Sequence, residues 1–287
     1  MGSMSASTKP RLCAVLASLG GIWLAHTQQP PAQPLTVTKI ADDLHVISGS
    51  GGNVAVYTTD EGAILVDDKF ERNFGEIMAK VKSITDKPVR YLINTHQHGD
   101  HTGGNALFLG AGTEIIAHEN ARVNMEERKM PGLPRLTFSR DFSIRLGGKL
   151  VRARYYGRAH TNGDAFIEFP ARRTIHTGDA FVAGAPFIDY SSGGSGAQWP
   201  QTIGRLMAEV SFDTVIPGHG GVMTREDLLR WKQSFETLNQ QISSLRRQGR
   251  PKEEVQQLAK TDSLPGWGPN PGFGTRSFPG LFDELGK

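Results

Sequence analysis

The stretch His96-Gln97-His98-Gly99-Asp100-His101 packs three imidazoles and one carboxylate into six residues. The whole chain holds nine histidines, so this density is unusual for a polar surface loop. The run before it, Tyr91–Thr95, is apolar and β-branched, which is typical of a buried strand, and Gly103-Gly104 follow at once. A strand that ends in a glycine-rich loop with His and Asp side chains is typical of metal ligands presented to a cleft.

The same layout of a strand, small turn residues and a donor side chain recurs later in the chain. It is found in the segments Tyr156–Asp164, Ile175–Asp179 and Thr214–Gly221, which carry His160, Asp179 and His219. Glycine and proline allow the backbone to turn where each strand ends. We therefore expect the three segments to meet the first loop in space.

The donor types in these segments restrict the metal. Neutral imidazole and carboxylate suit Zn²⁺, Fe²⁺ or Mn²⁺, and a tetrahedral zinc ion needs about four donors. One loop with four donors can serve two adjacent ions, with His96 and His98 facing one and Asp100 and His101 the other. The loop alone cannot complete both ions, so the later segments are needed.

The order His-x-His-x-Asp-His, Gly-x-x-His-Thr, Thr-Gly-Asp and Pro-Gly-His-Gly resembles the motif set of the metallo-β-lactamase superfamily over about residues 35–235. The resemblance implies an α/β fold, the four-layer αβ/βα sandwich of two β-sheets covered by helices, with the metals at one edge between the sheets. It also implies ligand roles: His96, His98 and His160 for a first metal, Asp100, His101 and His219 for a second, and Asp179 as a bridge between them.

Two zinc ions in such a site imply a hydrolase. Divalent ions roughly 3.5–4 Å apart share a water and lower its pKa toward about 7, so that metal-bound hydroxide can attack an acyl bond. Asp100 or Asp179 is then available to accept or relay a proton. We expect two Zn²⁺ as cofactors, with Fe or Mn as other divalent metals that would fit.

The resemblance also favours one kind of substrate. Lactamases of this superfamily carry Cys or Ser where this chain has Asp179, and the thiolate-ligand class commonly has Lys where this chain has Val182. A bridging Asp resembles glyoxalase II and lactonase-like members. The preferred substrate is therefore an activated acyl compound (lactone, ester or thioester), and a β-lactam is the alternative.

Two other classes remain open. A mononuclear iron oxygenase of the persulfide dioxygenase type shares the fold and needs only a 2-His-carboxylate-like face. The complete second set of donors, Asp100, His101 and His219, favours a two-metal site over a mononuclear iron site. A non-catalytic secreted binding protein that has kept the fold is the third class, and the intact ligand set argues against it.

Residues 1–34 are predicted to be a signal peptide and a Pro/Gln-rich linker. Lys9 and Arg11 precede the short apolar run Leu12–Ala25, and Thr27–Pro34 is rich in Pro and Gln. We expect a periplasmic or secreted protein with no membrane partner after cleavage; a membrane anchor is the alternative. The single cysteine, Cys13, lies in this segment, so the mature chain would have no thiolate ligand.

The rest of the 287-residue chain is predicted to form one metallo-β-lactamase-like domain over residues 35–249, followed by a C-terminal region, residues 250–287, with a short helix at Lys252–Lys260 and an extended Gly/Pro-rich tail. The formal net charge is +3 and no basic tract is present, which argues against nucleic acid and for a small-molecule substrate. The sequence makes no prediction about the oligomeric state.

Hydrophobic alternation and turn residues also predict the order of elements. The predicted strands are Val37–Ile40, Leu44–Ser48, Asn53–Thr58, Ala63–Asp67, Val89–Thr95, Ile115–Ala117, Leu136–Leu146, Lys149–Tyr156, Ala165–Phe169 and Arg173–Thr177, and the predicted helices are Phe70–Ile84, His118–Lys129, Pro200–Val210 and Arg225–Gln248. Asp67 is a candidate to accept a hydrogen bond from a ligand. His45, His118 and His176 are expected to be structural.

Overall fold

The computed structural model describes residues 1–2, 34–259, 261, 263–268 and 271–286. The elements below all belong to the unit Ala32–Lys287. The predicted signal peptide lies almost entirely outside the described residues and stays a prediction. Within the described residues, no helix combines the length and apolarity that crossing a bilayer requires.

The first sheet has seven strands in the spatial order of the sequence. They are β1 (Thr36–Ala41), β2 (Leu44–Ser48), β3 (Val54–Thr59), β4 (Gly62–Val66), β5 (Val89–Ile93), β6 (Glu114–His118) and β7 (Leu136–Phe138). The first four pair antiparallel, as a meander joined by short turns. From β4 to β7 the pairing is parallel. Parallel neighbours need crossover connections, and helices supply them here.

Those crossovers contain α1 (Phe74–Ile84), α2 (Gly99–Thr102), α3 (Asn105–Gly110) and α4 (Glu119–Glu127). Helix α1 follows a 3-10 turn at Glu71–Asn73 and buries Ile77 and Val81, which are one turn apart, on one face. These side chains pack with Phe108 of α3 against the outer face of the first sheet.

The second sheet has six strands, in the order β13-β12-β11-β10-β9-β8. They are β8 (Asp141–Leu146), β9 (Lys149–Arg154), β10 (Phe166–Phe169), β11 (Thr174–His176), β12 (Thr214–Ile216) and β13 (Met223–Thr224). Only β11 and β12 run parallel. The helix α5 (Trp199–Glu209) connects these two strands, and α6 (Arg225–Arg247) follows β13.

The two sheets face each other across an apolar core. Tyr57 and Ile116 of the first sheet meet Phe169 and Ile167 of the second there, and Tyr57 packs edge-on against Phe169 with 5.2 Å between ring centroids. The outer face of the second sheet packs on α5 and α6 through residues such as Trp231. Full burial of one large apolar side chain contributes about 1.5–3 kcal/mol. The predicted four-layer αβ/βα sandwich is confirmed.

One predicted strand is in fact two. Leu136–Leu146 was expected to be continuous, but β7 pairs with β6 in the first sheet, whereas β8 pairs with β9 in the second. The chain crosses between the sheets at Ser139-Arg140. The hydrophobic alternation continues through this corner, so it gave no signal of the break.

The C-terminal region also differs from the prediction of an extended tail. After α7 (Lys252–Leu258), the chain forms α8 (Pro271–Arg276) and α9 (Phe278–Glu284). The side chains of Trp267, Phe273 and Phe278 are buried in the core outside the second sheet. The burial of these aromatic rings stabilises helices that a Gly- and Pro-rich segment would not form alone.

A buried carboxylate links the first sheet to the second. Asp43, in the turn between β1 and β2, accepts hydrogen bonds from Arg172 Nε at 2.6 Å and from Lys149 Nζ at 2.5 Å. Partial burial alone would raise the pKa of Asp43, but the bonds from Arg172 and Lys149 lower it below the ordinary value of 3.8. The ionised form of Asp43 is therefore favoured in the folded protein.

We expect Asp43→Asn to lower the free energy of unfolding at pH 7 by about 1–2 kcal/mol, the range for charged hydrogen bonds that water partly screens. Because the folded pKa lies below the unfolded one, this stabilisation is present above about pH 4 and is lost as the pH falls through the folded pKa. Urea unfolding of both proteins at pH 7 and near pH 3 measures the difference. The neighbouring Asp42→Asn is the control, because Asp42 pairs with Lys39 at the surface, where both side chains are exposed. An equal effect of both changes would contradict the prediction.

Candidate metal centre

The predicted donor residues lie together at one edge of the sandwich, in the loops where strands β5, β11 and β12 end or where β10 begins. They form two groups, and within each group the ligand atoms lie within 4.8 Å of one another: His96, His98, His160 and Asp179 in the first, and Asp100, His101 and His219 in the second. The parallel pairs β4–β5 and β11–β12 direct their carboxyl ends to the same edge, which is why residues more than a hundred positions apart meet.

Three imidazole nitrogens of the first group face one another. His98 Nδ1 lies 3.2 Å from His96 Nε2 and 2.9 Å from His160 Nε2. Each ring has its other nitrogen turned outward to a hydrogen-bond acceptor. A neutral imidazole carries its one proton on a single nitrogen, so in a neutral ring the outer acceptor takes that proton and the inner nitrogen presents its lone pair.

The acceptors can be assigned one by one. His160 Nδ1 donates to the carbonyl oxygen of Phe187 at 2.7 Å, and His98 Nε2 donates to Asp189 Oδ2 at 2.9 Å. His96 Nδ1 lies 3.1 Å from Thr95 Oγ1, whose own proton is donated to Asp67 Oδ2 at 2.7 Å. The ring of His96 must therefore donate to Thr95. Outer hydrogen bonds of this kind fix both the tautomer and the orientation of a metal-binding histidine.

The second group is joined to the first through Asp179. Asp179 Oδ1 is buried and accepts no hydrogen bond, although His101 Nε2 and His219 Nε2 lie 3.2 and 3.3 Å from it. His219 Nε2 also lies 3.2 Å from Asp100 Oδ2. His101 Nδ1 is 2.7 Å from Asp67 Oδ2. This geometry agrees with the prediction that Asp67 accepts a hydrogen bond from a metal ligand.

Burial and charge act in opposite directions in the two groups. Burial lowers the pKa of His96 well below 6.5 and also lowers the pKa of His160, so both rings are neutral near pH 7. Asp179 raises the pKa of His219 to about 9. Burial alone would lower the pKa of His101, but Asp179 and Asp100 raise it well above 6.5. Without a metal, protons on His101 and His219 therefore balance the carboxylates, and a cation would displace them.

Two glycines allow this close approach. A Cβ on Gly52 would overlap the ring of His101, and a Cβ on Gly218 would overlap Asp179 Oδ1. Gly218 N also donates to Gly178 O at 2.8 Å, which ties the His219 loop to the Asp179 turn. These two positions need the absence of a side chain and not a special backbone angle, since neither has a positive φ.

The remaining histidines have other contacts. His118 caps α4 by accepting from the Asn120 amide at 3.2 Å, and His176 is buried with Nε2 3.1 Å from Asn53 O. His45 lies on β2. None of the three belongs to either donor group of the described residues.

Several supporting residues were missed by the sequence analysis. Asp189 orients His98 and also contacts Arg128 at 3.4 Å, and Phe187 supplies the carbonyl for His160. Lys69 is fully buried with Nζ on the carbonyl of Gly52, and burial lowers its pKa to about 8. A carboxylate directly after the apolar run Pro186–Ile188 was the only sequence signal for Asp189.

The C-terminal helices hold the loop that contains Phe187 and Asp189. Ser277 Oγ accepts a hydrogen bond from the Ile188 amide at 3.1 Å. Glu284 of α9 accepts from Tyr190 Oη and from the Ala197 amide, both at 3.1 Å, and from Ser195 Oγ. The last helices of the described chain thus support the acceptors that orient His98 and His160.

The donor set fits a divalent cation. Imidazoles and carboxylates are ligands for zinc and for neighbouring transition metals. His98 Nδ1 lies within 3.2 Å of His96 Nε2 and His160 Nε2, and Asp179 Oδ1 lies 3.2 and 3.3 Å from His101 Nε2 and His219 Nε2, so nitrogen and oxygen donors converge closely enough to share a cation. The described residues contain no cysteine, so all the donors are nitrogen or oxygen.

Comparison with known proteins gives a consistent picture. The sequence model of the metallo-beta-lactamase superfamily matches residues 47–219. Metallo-beta-lactamase IND-1 of Chryseobacterium indologenes is 27% identical over 193 residues, which are 63% of this chain and 80% of that protein. The 2,4-dinitroanisole O-demethylase subunit alpha of Nocardioides sp. (strain JS1661) is 28% identical over 144 residues, 49% of this chain. The chain spans 43% of the length of that second relative.

Solved structures agree on the fold. The metallo-beta-lactamase from Pontibacter korlensis superposes with a TM-score of 0.63 at 23% identity, covering 69% of this chain and 99% of that one. The DIM-1 metallo-beta-lactamase also gives 0.63, at 18% identity, covering 72% of this chain and 99% of that one. At these identities the likeness shows the fold alone.

We expect Gly218→Ala to weaken zinc binding at least tenfold and to lower the free energy of unfolding by about 1–3 kcal/mol, because the added methyl group displaces Asp179 and lies 2.6 Å from the carbonyl carbon of Gly178. Calorimetric titration with Zn²⁺ and thermal unfolding measure the two effects. Gly75→Ala, on the exposed face of α1 with open space around it, is the matched control and should raise stability by up to about 1 kcal/mol. Unchanged zinc affinity in Gly218→Ala would contradict the close packing described here.

We expect Asp189→Asn to weaken the binding of the tightest metal ion by about 10- to 100-fold, because the amide loses the charge-assisted bond that orients His98. Competition with a chromophoric chelator gives the dissociation constant. Asp213→Asn is the matched control, since Asp213 pairs with Arg173 at the surface, away from the site. If both variants bind the metal equally well, Asp189 does not orient His98.

Proposed function

Because this chain belongs to the metallo-beta-lactamase superfamily, we propose that it is a binuclear zinc-dependent hydrolase of activated acyl compounds: lactones, esters or thioesters. The observation that carries this proposal is a set of three inward imidazole nitrogens: His98 Nδ1 lies 3.2 Å from His96 Nε2 and 2.9 Å from His160 Nε2, and the other nitrogen of each ring faces an oxygen outside the group. A site that existed only for packing would not keep these nitrogens facing one another.

The donor groups divide between two ions. We assign His96, His98 and His160 to the first ion, Asp100, His101 and His219 to the second, and Asp179 to both. Each of the two groups brings its ligand atoms within the span of one coordination sphere. His219 and Asp100 are the more exposed members, with 39% and 26% of their side chains accessible. The open side of the site, where a substrate enters, is therefore at the second group.

When bound, two divalent cations lower the pKa of a shared water toward about 7 and polarise the carbonyl under attack. The residues of this chain then have two tasks: to orient the metal ligands and to transfer protons. Burial alone would raise the pKa of Asp100, but His101 and His219 lower it to about 2, so its partly exposed carboxylate is ionised at neutral pH and can hold the second cation or relay a proton to the leaving group. Asp67 and Asp189 keep the donors in place by accepting from His101 and His98.

A β-lactam is the second candidate substrate. Its support is the 27% identity to metallo-beta-lactamase IND-1 over 80% of that protein. The carboxylate of Asp179 among the donors of both groups favours the acyl compounds, because the resemblance noted above associates lactamases with Cys or Ser at this position. The O-demethylase similarity keeps ether cleavage as a third reaction for the same panel.

The remaining parts of the proposal come from the sequence. The basic and apolar pattern of residues 1–34 supports export to the periplasm or the exterior, where a small-molecule substrate would be met. A mononuclear iron oxygenase remains the alternative from another class, and the complete second donor group favours two metals over it.

The test is metal analysis and a substrate panel on the purified chain. We expect about two zinc ions per chain and turnover of aryl esters or lactones that a chelator abolishes and added Zn²⁺ restores. His160→Ala should lower kcat/KM at least 100-fold, because it removes a metal ligand whose ring is held in place by the carbonyl oxygen of Phe187. His45→Ala, on β2 and in neither donor group, is the control for losing a histidine.

Each contrary outcome has a definite meaning. One iron per chain with consumption of O₂ would replace the proposal by the oxygenase. Hydrolysis of β-lactams with no activity on esters, lactones or thioesters would select the second candidate. A zinc-loaded chain that turns over no member of the panel would refute the hydrolase.

A further inference from the structure

An arginine from the C-terminal helices lies beside the metal centre. The guanidinium carbon of Arg276, at the end of α8, is 4.0 Å from the ring centroid of Phe187. The Phe187 ring lies in turn 6.2 Å from the His98 ring and 5.6 Å from the His160 ring, both of the first donor group. These distances limit the separation between the Arg276 charge and the His98 ring to about 10 Å, which a small-molecule substrate can span.

The charge of Arg276 is available to a ligand. Its side chain is exposed, and no ion pair within the described residues involves its guanidinium. Arg128, directly after helix α4, differs because it contacts Asp189 Oδ2 at 3.4 Å and Ser191 Oγ at 3.2 Å, so an internal carboxylate already balances its charge. Arg276 thus lies near the first donor group through its stacking on Phe187, and it has no acidic partner among the described residues.

The position of Arg276 is fixed by its surroundings. Its neighbour Ser277 is buried and accepts from the Ile188 amide, one residue after Phe187. Phe273 and Phe278, on either side along the chain, are buried in the core outside the second sheet. The segment is therefore anchored on both sides of Arg276, and the stacking on Phe187 orders the guanidinium further.

We propose that Arg276 binds a carboxylate of the substrate, so that the enzyme prefers acyl substrates that carry a negative charge a few atoms from the scissile bond. A guanidinium presents paired N–H donors that match a carboxylate, and such charge-assisted bonds are among the stronger polar contacts. Arg276 lies beyond the part of the chain, residues 47–219, that matches the superfamily, so this preference belongs to the C-terminal helices and not to the common domain. The inference rests on the proposed function, in that it names the substrate class of the same site.

The kinetic test compares a matched pair of esters on the zinc-loaded full chain: mono-4-nitrophenyl glutarate, which carries a carboxylate, and 4-nitrophenyl butyrate, which does not. We expect Arg276→Gln, which keeps a planar group over Phe187 and removes the charge, to raise KM for the glutarate ester about tenfold with kcat within twofold. Both constants for the butyrate ester should stay within twofold. Arg276→Lys should recover part of the loss for the glutarate ester only.

The control variant is Arg145→Gln, an exposed arginine on β8 in the second sheet, which should change neither ester. Zinc content and the thermal unfolding midpoint are measured for every variant, because a change in folding would affect both esters equally. An equal loss for the two esters, or no loss for either, would overturn the proposal and leave Arg276 with a packing role on Phe187.

A binding measurement keeps this inference separate from the hydrolase proposal. Calorimetric titration of the zinc-loaded protein with glutarate and with butyrate requires no turnover. We expect Arg276→Gln to weaken glutarate binding about tenfold and to leave butyrate binding unchanged, since only glutarate has a second carboxylate to reach the guanidinium. Inactivity toward the whole substrate panel together with this selective loss would refute the hydrolase and keep the anion subsite. Equal effects on the two acids would refute the subsite alone.

Discussion

The arrangement of the whole site depends on hydrogen bonds that point away from it. His96, His98 and His160 each turn one ring nitrogen to an outer oxygen, and this directs their inner nitrogens at one another. Placing these nitrogens close together is unfavourable without a cation, so the surrounding fold must hold the three rings in position. It does so with a carbonyl, a hydroxyl that is itself bonded to Asp67, and the buried carboxylate of Asp189.

The sandwich supplies this rigidity because both sheets end their parallel strands at the same edge. Asn53, which precedes β3, joins the sheets there: its amide donates to Gly218 O at 2.7 Å and its side chain to Pro217 O at 2.9 Å. The Ala165 amide donates to Thr95 O at 2.7 Å and joins the histidine loop to the second sheet. Backbone hydrogen bonds of this kind leave the donor loops little freedom, which is the preorganisation that metal binding needs.

The sequence predicted most of the donors because their chemistry is local. A short loop crowded with His and Asp after an apolar strand can be recognised from residue types, and the order of strands follows from alternation. Asp189 and Arg276 could not be found in this way, since each acts on residues about ninety positions away through the packing of loops on helices. The helices α8 and α9 were missed for the same reason, because tertiary burial of Phe273 and Phe278 outweighs their weak helix propensity.

The bonds from Glu284 to Tyr190 and the Ala197 amide have a consequence for how the protein matures. Chains are made from the amino end, so every donor residue emerges before α9 exists. Until translation passes Glu284, the segment that carries Phe187 and Asp189 lacks its final anchor. A cation captured at that time would meet all the donor residues, but His98 and His160 would lack the anchored acceptors that orient them, so the last helix completes the support of the site.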